Sequence, residues 1–351
     1  MDAKLKIGIV GAGGIATGRH IPTFQLFHEV EVSHIFDIDS ERAKIVATQF
    51  GIENVSISYE EMLDNVDAVI ITTPNKFHAP YTIQALNKGI HVMCEKPMAM
   101  TSKECDRMIE AEKSSDGILH VAYHYRFMKQ AIAAKQIIDQ GLIGEPLVVN
   151  VRAMRRRKVP GWGVFTNKEL QGGGALIDYG CHLLDLAMWL SGSLVPLEVI
   201  GTTYNRLSKD EANIVNEWGS FDANTFEVDD HVTAYVKFEN NISMVFETSW
   251  AANIDKDEEY ISIAGTKGGI NVFDMKYNSA SNGLMTTTTI DYVQEENTFE
   301  YLQASNFIRT ILHGSTLKVQ SEEARNVSKI IEAIYLSSEK NEAIKIKHSQ
   351  E

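Results

Sequence analysis

Residues 4–16 read KLKIGIVGAGGIA, and the fold follows from this stretch. A short apolar run rich in β-branched side chains ends at Gly11, where a glycine cluster opens into a segment that can be helical, so the order is strand, turn, helix. The turn itself, Gly11-Ala12-Gly13-Gly14-Ile15-Ala16, fits the spacing G-x-G-x-x-G/A. Glycines suit that place because a side chain would keep the backbone from approaching a pyrophosphate. The helix that follows offers unpaired N–H groups and the positive end of its dipole. A second run, EVSHIFD (31–37), ends in Asp37, whose carboxylate is placed to accept hydrogen bonds from both adenosine ribose hydroxyls and to repel a 2′-phosphate. Gly11, Gly13, Gly14, Ile15 and Asp37 are therefore the candidate dinucleotide contacts. NAD is the expected cofactor, with NADP the lesser alternative through Arg19 or Arg42.

Working outward, SERAKIVATQF (40–50) puts Ala43, Val46, Ala47 and Phe50 on one helical face behind a Ser40 cap. VDAVIIT (66–72) and IHVMCE (90–95) have the composition of buried strands, and TSKECDRMIEAEK (101–113) that of a helix started by Thr101. Strand alternating with helix predicts right-handed crossovers and a parallel, doubly wound α/β Rossmann domain over residues 1–125. Beyond that the texture changes. HVTAYVKF (231–238) and ISMVFETSW (242–250) alternate strictly and are joined by Glu239-Asn240-Asn241, a hairpin. Residues 126–351 are expected to form an α+β domain with a large, open, mainly antiparallel sheet covered by helices on one face. The uncovered face predicts a homodimer or homotetramer.

Composition narrows the partners. The chain has 351 residues, a formal net charge of −14 and 44% apolar residues, a chain of ordinary globular make-up. The acidity is spread evenly: 11 Lys+Arg face 17 Asp+Glu in residues 1–125, and 22 face 30 thereafter. Neither half is a basic nucleic-acid module, and no apolar run approaches the ~18 residues of a membrane helix. Cys94, Cys105 and Cys181 show no metal-ligand spacing, so no metal is expected. Their odd number and dispersion, with no leader-like N-terminus, suggest the cytoplasm.

Two further strings fall at the carboxyl ends of strands, where a doubly wound sheet binds its ligand. TTPNKFHA (72–79) supplies Thr73, Asn75 and His78, and EKPMAM (95–100) supplies Glu95 and Lys96. For Asn75 and His78 two readings stand, nucleotide contact or the capping of a strand-to-helix loop. Downstream, GGGALIDYGCH (172–182) runs into an apolar helix and spaces Asp178 and His182 by four, on one helix face. YHYRF (123–127) offers Tyr123, His124 and Arg126 to a substrate. The run Arg155-Arg156-Arg157-Lys158, followed by Trp162, either lines a binding site, with Trp162 stacking on a sugar face, or is a solvated strand end. At most one or two of these arginines should reach ligand.

Taken together, the G-x-G-G-I start, T-P-x-x-x-H, E-K-P, G-G-G-x-L-x-D-x-G-x-H and the late I-x-G-T-x-G-G (Ile263 to Gly269) resemble the glucose-fructose oxidoreductase, inositol dehydrogenase and rhizopine catabolism family, written Gfo/Idh/MocA. The resemblance covers nearly the whole chain. It implies an NAD- or NADP-dependent oxidoreductase acting on a secondary hydroxyl of a sugar, sugar derivative or cyclitol. It also implies that Lys96, Asp178 and His182 are both the catalytic set and substrate contacts. The chemistry agrees: removing a hydride from an alcohol carbon requires loss of the hydroxyl proton, which suits a histidine of near-neutral pKa, while a lysine ammonium stabilises alkoxide character. Two other uses of the scaffold compete, an NAD-using glycosidase acting by transient oxidation and elimination, and a non-catalytic nucleotide- or sugar-sensing regulator.

Overall fold

The computed structural model describes residues 4–209, 215–292 and 297–347, which divide into two compact units. The first comprises residues up to His124 together with Asn297–Arg325. Its sheet is built from β1 (Leu5–Val10), β2 (Val30–Phe36), β3 (Asn54–Val55), β4 (Ala68–Ile71), β5 (His91–Cys94) and β6 (Leu119–Val121), in the order β3-β2-β1-β4-β5-β6. All five pairings are parallel. Helices cover both faces of a parallel sheet, and accordingly every residue of β4, AVII, is apolar and buried. The order reverses between β1 and β4, and all carboxyl ends point the same way, so the Gly11 turn, Asp37, Thr73 and Lys96 emerge along one rim.

The units divide between His124 and Tyr125, and the chain returns to the first unit over 297–325, a return that two consecutive domains, 1–125 and 126–351, do not include. The cause is the helix Phe299–His313, whose Ala304, Phe307 and Ile308 join the core made by Ile7, Ile21 and Phe24. Sequence periodicity identifies such a helix but not the core it completes.

The second unit comprises Tyr125–Glu296 and Asn326–Glu351, within the described residues. Its sheet contains β7 (Pro146–Met154), β8 (Pro196–Tyr204), β9 (His231–Phe238), β10 (Ser243–Ser249), β11 (Glu258–Gly265), β12 (Gly268–Asn271), β13 (Lys276–Ser281), β14 (Leu284–Thr289) and β15 (Ile344–Lys345), in the order β14-β13-β12-β11-β7-β10-β9-β8-β15. Every pairing is antiparallel except β7 with β10. Val149, Val232, Val236, Met244 and Ile261 are buried on one face. On the other, register aligns Ile200, Tyr235 and Val245 in one row, all exposed. The alternation of β9 and β10 thus has its expected meaning, one apolar face in and one out. Among the described residues no helix is long and apolar enough to cross a membrane.

Candidate active site

In the first unit the glycine turn is held tightly by its neighbours. The Gly11 N–H donates to Phe36 O at 2.7 Å, and Thr72 Oγ1 donates to Gly11 O at 2.8 Å. Gly11 has φ +97°, and a Cβ there would stand 3.0 Å from Thr72 O, so this glycine is demanded by the protein itself. Gly13 and Gly14 are different. A Cβ on either would meet nothing within 4 Å, so packing does not explain their missing side chains, whereas a pyrophosphate laid against the backbone does. Residues 14–24 form one continuous helix that includes a π-type turn at Ala16–His20, and π turns are frequent at functional sites. Ile15, half-buried, lies in its first turn.

Asp37 is half-buried at the end of β2, its Oδ2 accepting from the Ala12 N–H at 2.7 Å and its Oδ1 from the Asp39 N–H at 2.9 Å. It therefore shapes the glycine turn, and each oxygen keeps a lone pair for a ribose hydroxyl. At the end of β4, Thr73 Oγ1 is buried without a hydrogen-bond partner among the described residues. An orphaned hydroxyl on the binding rim fits a ligand contact. These residues suit a dinucleotide: Gly13 and Gly14 for the pyrophosphate, Asp37 for the ribose, Thr73 beside them.

The other rim residues have different positions. Asn75 and His78 are buried, and the His78 ring faces the carbonyl oxygens of Pro97 at 2.8 Å and Thr73 at 3.0 Å. It ties the T-P-N loop to the E-K-P loop. Burial lowers its pKa. Glu95 is buried too, its Oε1 2.7 Å from His20 Nε2 and its Oε2 accepting from the Lys96 N–H at 3.1 Å. Burial alone would push Glu95 up, but the His20 hydrogen bond and the charges of His20, Arg19 and Lys96 outweigh it and hold the carboxyl well below the usual range. Glu95 therefore anchors Lys96, which is half-buried. His20 is part of that anchor. His124 sits against Arg19 Nη1 at 3.2 Å and stacks on Phe299; burial and the Arg19 charge push its pKa down to about 3, so it is neutral.

In the second unit, Asp178 and His182 straddle the junction between a π-type turn, Leu176–Gly180, and the helix Cys181–Leu190. Buried Asp229 holds the start of that turn: its Oδ1 accepts from the Gly174 N–H at 2.7 Å and its Oδ2 from the Leu176 N–H at 2.9 Å, with Tyr335 Oη donating to Oδ1 at 2.7 Å. A Cβ on Gly173 would lie 1.9 Å from Tyr335 Oη, and one on Gly174 2.0 Å from Asp229 O. These two glycines are there for the approach of Tyr335 and Asp229.

Around the pair stands a cluster that sequence reasoning mostly missed. Asp178 Oδ2 accepts from Trp250 Nε1 at 3.1 Å and lies 3.9 Å from Arg155 Nη1. The Tyr125 ring stacks on His182 with centroids 5.0 Å apart. The hydroxyls of Tyr125 and Tyr179 both donate to Glu259 Oε1, at 2.6 and 3.0 Å; burial, then the Glu259 charge, raise the pKa of each phenol. Of the basic run, Arg156 donates from Nη1 to the Asp255 carbonyl and from its backbone N–H to Asp257 Oδ1, Arg157 binds the Ala251 and Ala252 carbonyls and Asn253, and Lys158 binds Asp257 and Glu217. Arg155 is the member that faces Asp178. Trp162 is 54% exposed, its ring against Phe165 and Trp218.

Two expected substrate contacts are interior residues. Tyr123 is fully buried, at 0%. Arg126 is 1% exposed, with Nε and Nη2 donating to the buried Asp185 carboxylate at 2.9 and 2.6 Å. A guanidinium taken out of water needs such a bidentate partner, and Asp185 lies far along the chain, where sequence alone does not pair it. Within YHYRF, Tyr125 is the residue that reaches His182.

A six-stranded parallel sheet with a glycine-turn phosphate cradle, followed by an open-sheet unit carrying an Asp/His pair, defines a dinucleotide-dependent oxidoreductase architecture. Residues 5–123 match the family described as "Oxidoreductase family, NAD-binding Rossmann fold" and residues 131–271 match "GFO/IDH/MocA C-terminal domain"; the chain belongs to this family. It is 31% identical over 342 residues to D-glucoside 3-dehydrogenase of Escherichia coli K12, covering 96% of each chain. It is 28% identical over 363 residues to D-xylose 1-dehydrogenase [NADP(+)] of Haloarcula marismortui, covering 98% of this chain and 94% of that protein. Levoglucosan dehydrogenase, solved in complex with NADH and levoglucosan, shares the fold with a TM-score of 0.82 at 22% identity, over 98% of this chain and 100% of the other.

Proposed function

We propose that this protein is an NAD-dependent oxidoreductase that oxidises a secondary hydroxyl of a sugar, sugar derivative or cyclitol. One observation carries the reading: Gly13 and Gly14 form a cradle that packing does not explain, in a chain that also keeps Lys96, Asp178 and His182. The sugar dehydrogenases among its relatives support the substrate class. When bound, the nicotinamide supplies the hydride acceptor. His182 takes the hydroxyl proton, its ring held flat by Tyr125. Lys96, fixed through Glu95 and His20, is the cation suited to stabilise alkoxide character. Asp178 orients the sugar.

NAD is preferred over NADP because the Asp37 carboxylate opposes a 2′-phosphate where it receives a ribose. The exposed row Ile200, Tyr235 and Val245 supports assembly into a homodimer or homotetramer through the open sheet. The three buried free cysteines suit the cytoplasm.

The test is NADH accumulation from purified protein with NAD and a panel of inositols, aldoses, glucosides, and anhydro and keto sugars. Net NADH with at least one neutral polyol is expected. Glycoside cleavage with NAD returned unchanged would replace the reading with the eliminating glycosidase, and tight cofactor binding with neither reaction would leave a sensor.

A further inference from the structure

Glu259 breaks the pattern of its strand. In β11 side chains two apart share a face, and Ile263 and Ile261 are buried on the side that meets the core. The same alternation puts Glu259 next on that side, half-buried, opposite Ala153 of β7. A carboxylate on a core face calls for donors, and it has two: Tyr125 Oη at 2.6 Å and Tyr179 Oη at 3.0 Å, both on Oε1. The shorter lies in the range of a charge-assisted O–H···O⁻ bond. Burial and the Glu259 charge keep both phenols protonated, so both remain donors. Each phenol ring has a nitrogen group on its face. The Arg155 guanidinium lies 3.8 Å from the Tyr179 centroid. The His182 ring lies 5.0 Å from that of Tyr125 with the planes 20° apart, within the roughly 6 Å at which an aromatic face attracts a cation. One arm of the Glu259 pair thus holds a permanent cation, and the other holds a ring that becomes one only when it takes a proton.

We infer that Glu259 is a positioning residue that acts on His182 through Tyr125: its carboxylate draws on the phenol hydroxyl, enriches the ring face on which His182 lies, and favours the imidazolium formed when the alcohol proton is taken. The inference rests on the reading above that His182 is the base. A phenol that donates to a carboxylate is polarised by it, and its ring attracts imidazolium more than imidazole. The other charged groups on the elements packed against the helix Cys181–Leu190 are matched by opposite charges. Asp178, four residues before His182, lies 3.9 Å from Arg155. Asp185 takes Arg126, Lys135 pairs with Asp139, Glu258 with Arg152, and Asp257 with Lys158. Glu259 is held instead by two neutral phenols, which pass its charge to the rings.

The experiment titrates His182 by NMR in protein labelled at histidine Cε1, its signal assigned by its loss in His182→Asn. Wild type is compared with Glu259→Gln, Tyr125→Phe and the double variant, and the pH dependence of sugar-dependent NADH formation is followed in parallel. Glutamine keeps the shape and an acceptor oxygen, and phenylalanine keeps the ring, so one variant removes the charge and the other the hydroxyl. Each single variant should lower the titration midpoint of His182 by about one pH unit, the worth of a cation–π contact, and the double variant no further. The acid limb of kcat/KM should move down by the same amount, with kcat reduced a few-fold and the sugar KM unchanged. A merely structural Glu259 would lower stability without moving the titration. An unmoved His182 in Glu259→Gln overturns the inference, as does a shift there that Tyr125→Phe fails to reproduce or that adds to it in the double variant. Where Glu259→Gln does not fold, Tyr125→Phe decides, and an unchanged midpoint overturns the inference. The expected shifts without NADH from any sugar would remove the oxidoreductase reading and leave the tuning, whereas NADH formation with an unmoved titration would do the reverse.

Discussion

Replacing Gly13 by alanine separates a glycine required by a ligand from one required by the fold. At Gly13 a Cβ meets nothing within 4 Å and φ lies outside the left-handed region. Gly13→Ala should therefore fold normally, with stability unchanged or raised by up to about 1 kcal/mol through the stiffer unfolded chain. The added methyl stands where the dinucleotide pyrophosphate would approach. Losing a charge-assisted hydrogen bond or two there costs about 1.5–3 kcal/mol, or roughly a 10- to 150-fold rise in the NADH Kd. Gly11→Ala is the control. Its φ of +97° and the 3.0 Å approach to Thr72 O put the penalty in the protein itself, about 1–2 kcal/mol from the backbone conformation alone, so its Tm should fall. Thermal unfolding without cofactor, paired with a fluorescence titration of NADH, measures both effects. The reasoning fails if Gly13→Ala binds NADH as wild type does, or if it loses stability as Gly11→Ala does.

Lys96→Ala should abolish NADH production while leaving NADH affinity within a few-fold of wild type, and near-normal turnover would remove Lys96 from the mechanism. Asp37→Ala should raise the KM for NAD and narrow its preference over NADP; an unchanged ratio of kcat/KM values for the two cofactors would sink the ribose assignment. Arg126→Met removes the bidentate guanidinium from the buried Asp185 carboxylate and should cost about 3–5 kcal/mol of stability with little change in substrate KM, measured by urea unfolding and steady-state kinetics. A KM defect without the stability loss would return Arg126 to the substrate. His124 is neutral in the folded protein, at a pKa of about 3 against 6.5 unfolded. The unfolded state thus binds the extra proton, and stability falls as pH drops below 6.5; between pH 7.5 and 5 the loss is about 2 kcal/mol. His124→Phe should remove that increment from the pH dependence of urea unfolding, and an identical pH profile would show that His124 does not carry it.

Much of the first unit is legible in the chain because its signals are local. A glycine turn between an apolar run and a helix, an acid at the end of the next strand, and further apolar runs separated by helix caps all lie within a few residues of the contacts they make. Thr101 forms the capping box with Glu104 that its sequence advertises, and the alternation of β9 and β10 shows which face is buried. The family motifs likewise name Lys96, Asp178 and His182 without a structure.

What the sequence alone determined is the kind of molecule: a dinucleotide fold, an open-sheet partner unit and the residue types for proton and hydride chemistry. The tertiary structure decided which neighbours those residues have, because burial and pairing depend on contacts between distant parts of the chain. Arg126 and Arg155 look alike in sequence, yet Asp185, 59 residues on, takes the first into the interior, while Tyr179 and Trp218 hold the second against Asp178. Glu95 and His78 sit in motifs that read as ligand contacts, and their partners His20, Pro97 and Thr73 make them the supports of Lys96 and its loop. A charge run in the sequence is four equal cations; three-dimensional pairing commits three of them to the loops and leaves one facing Asp178.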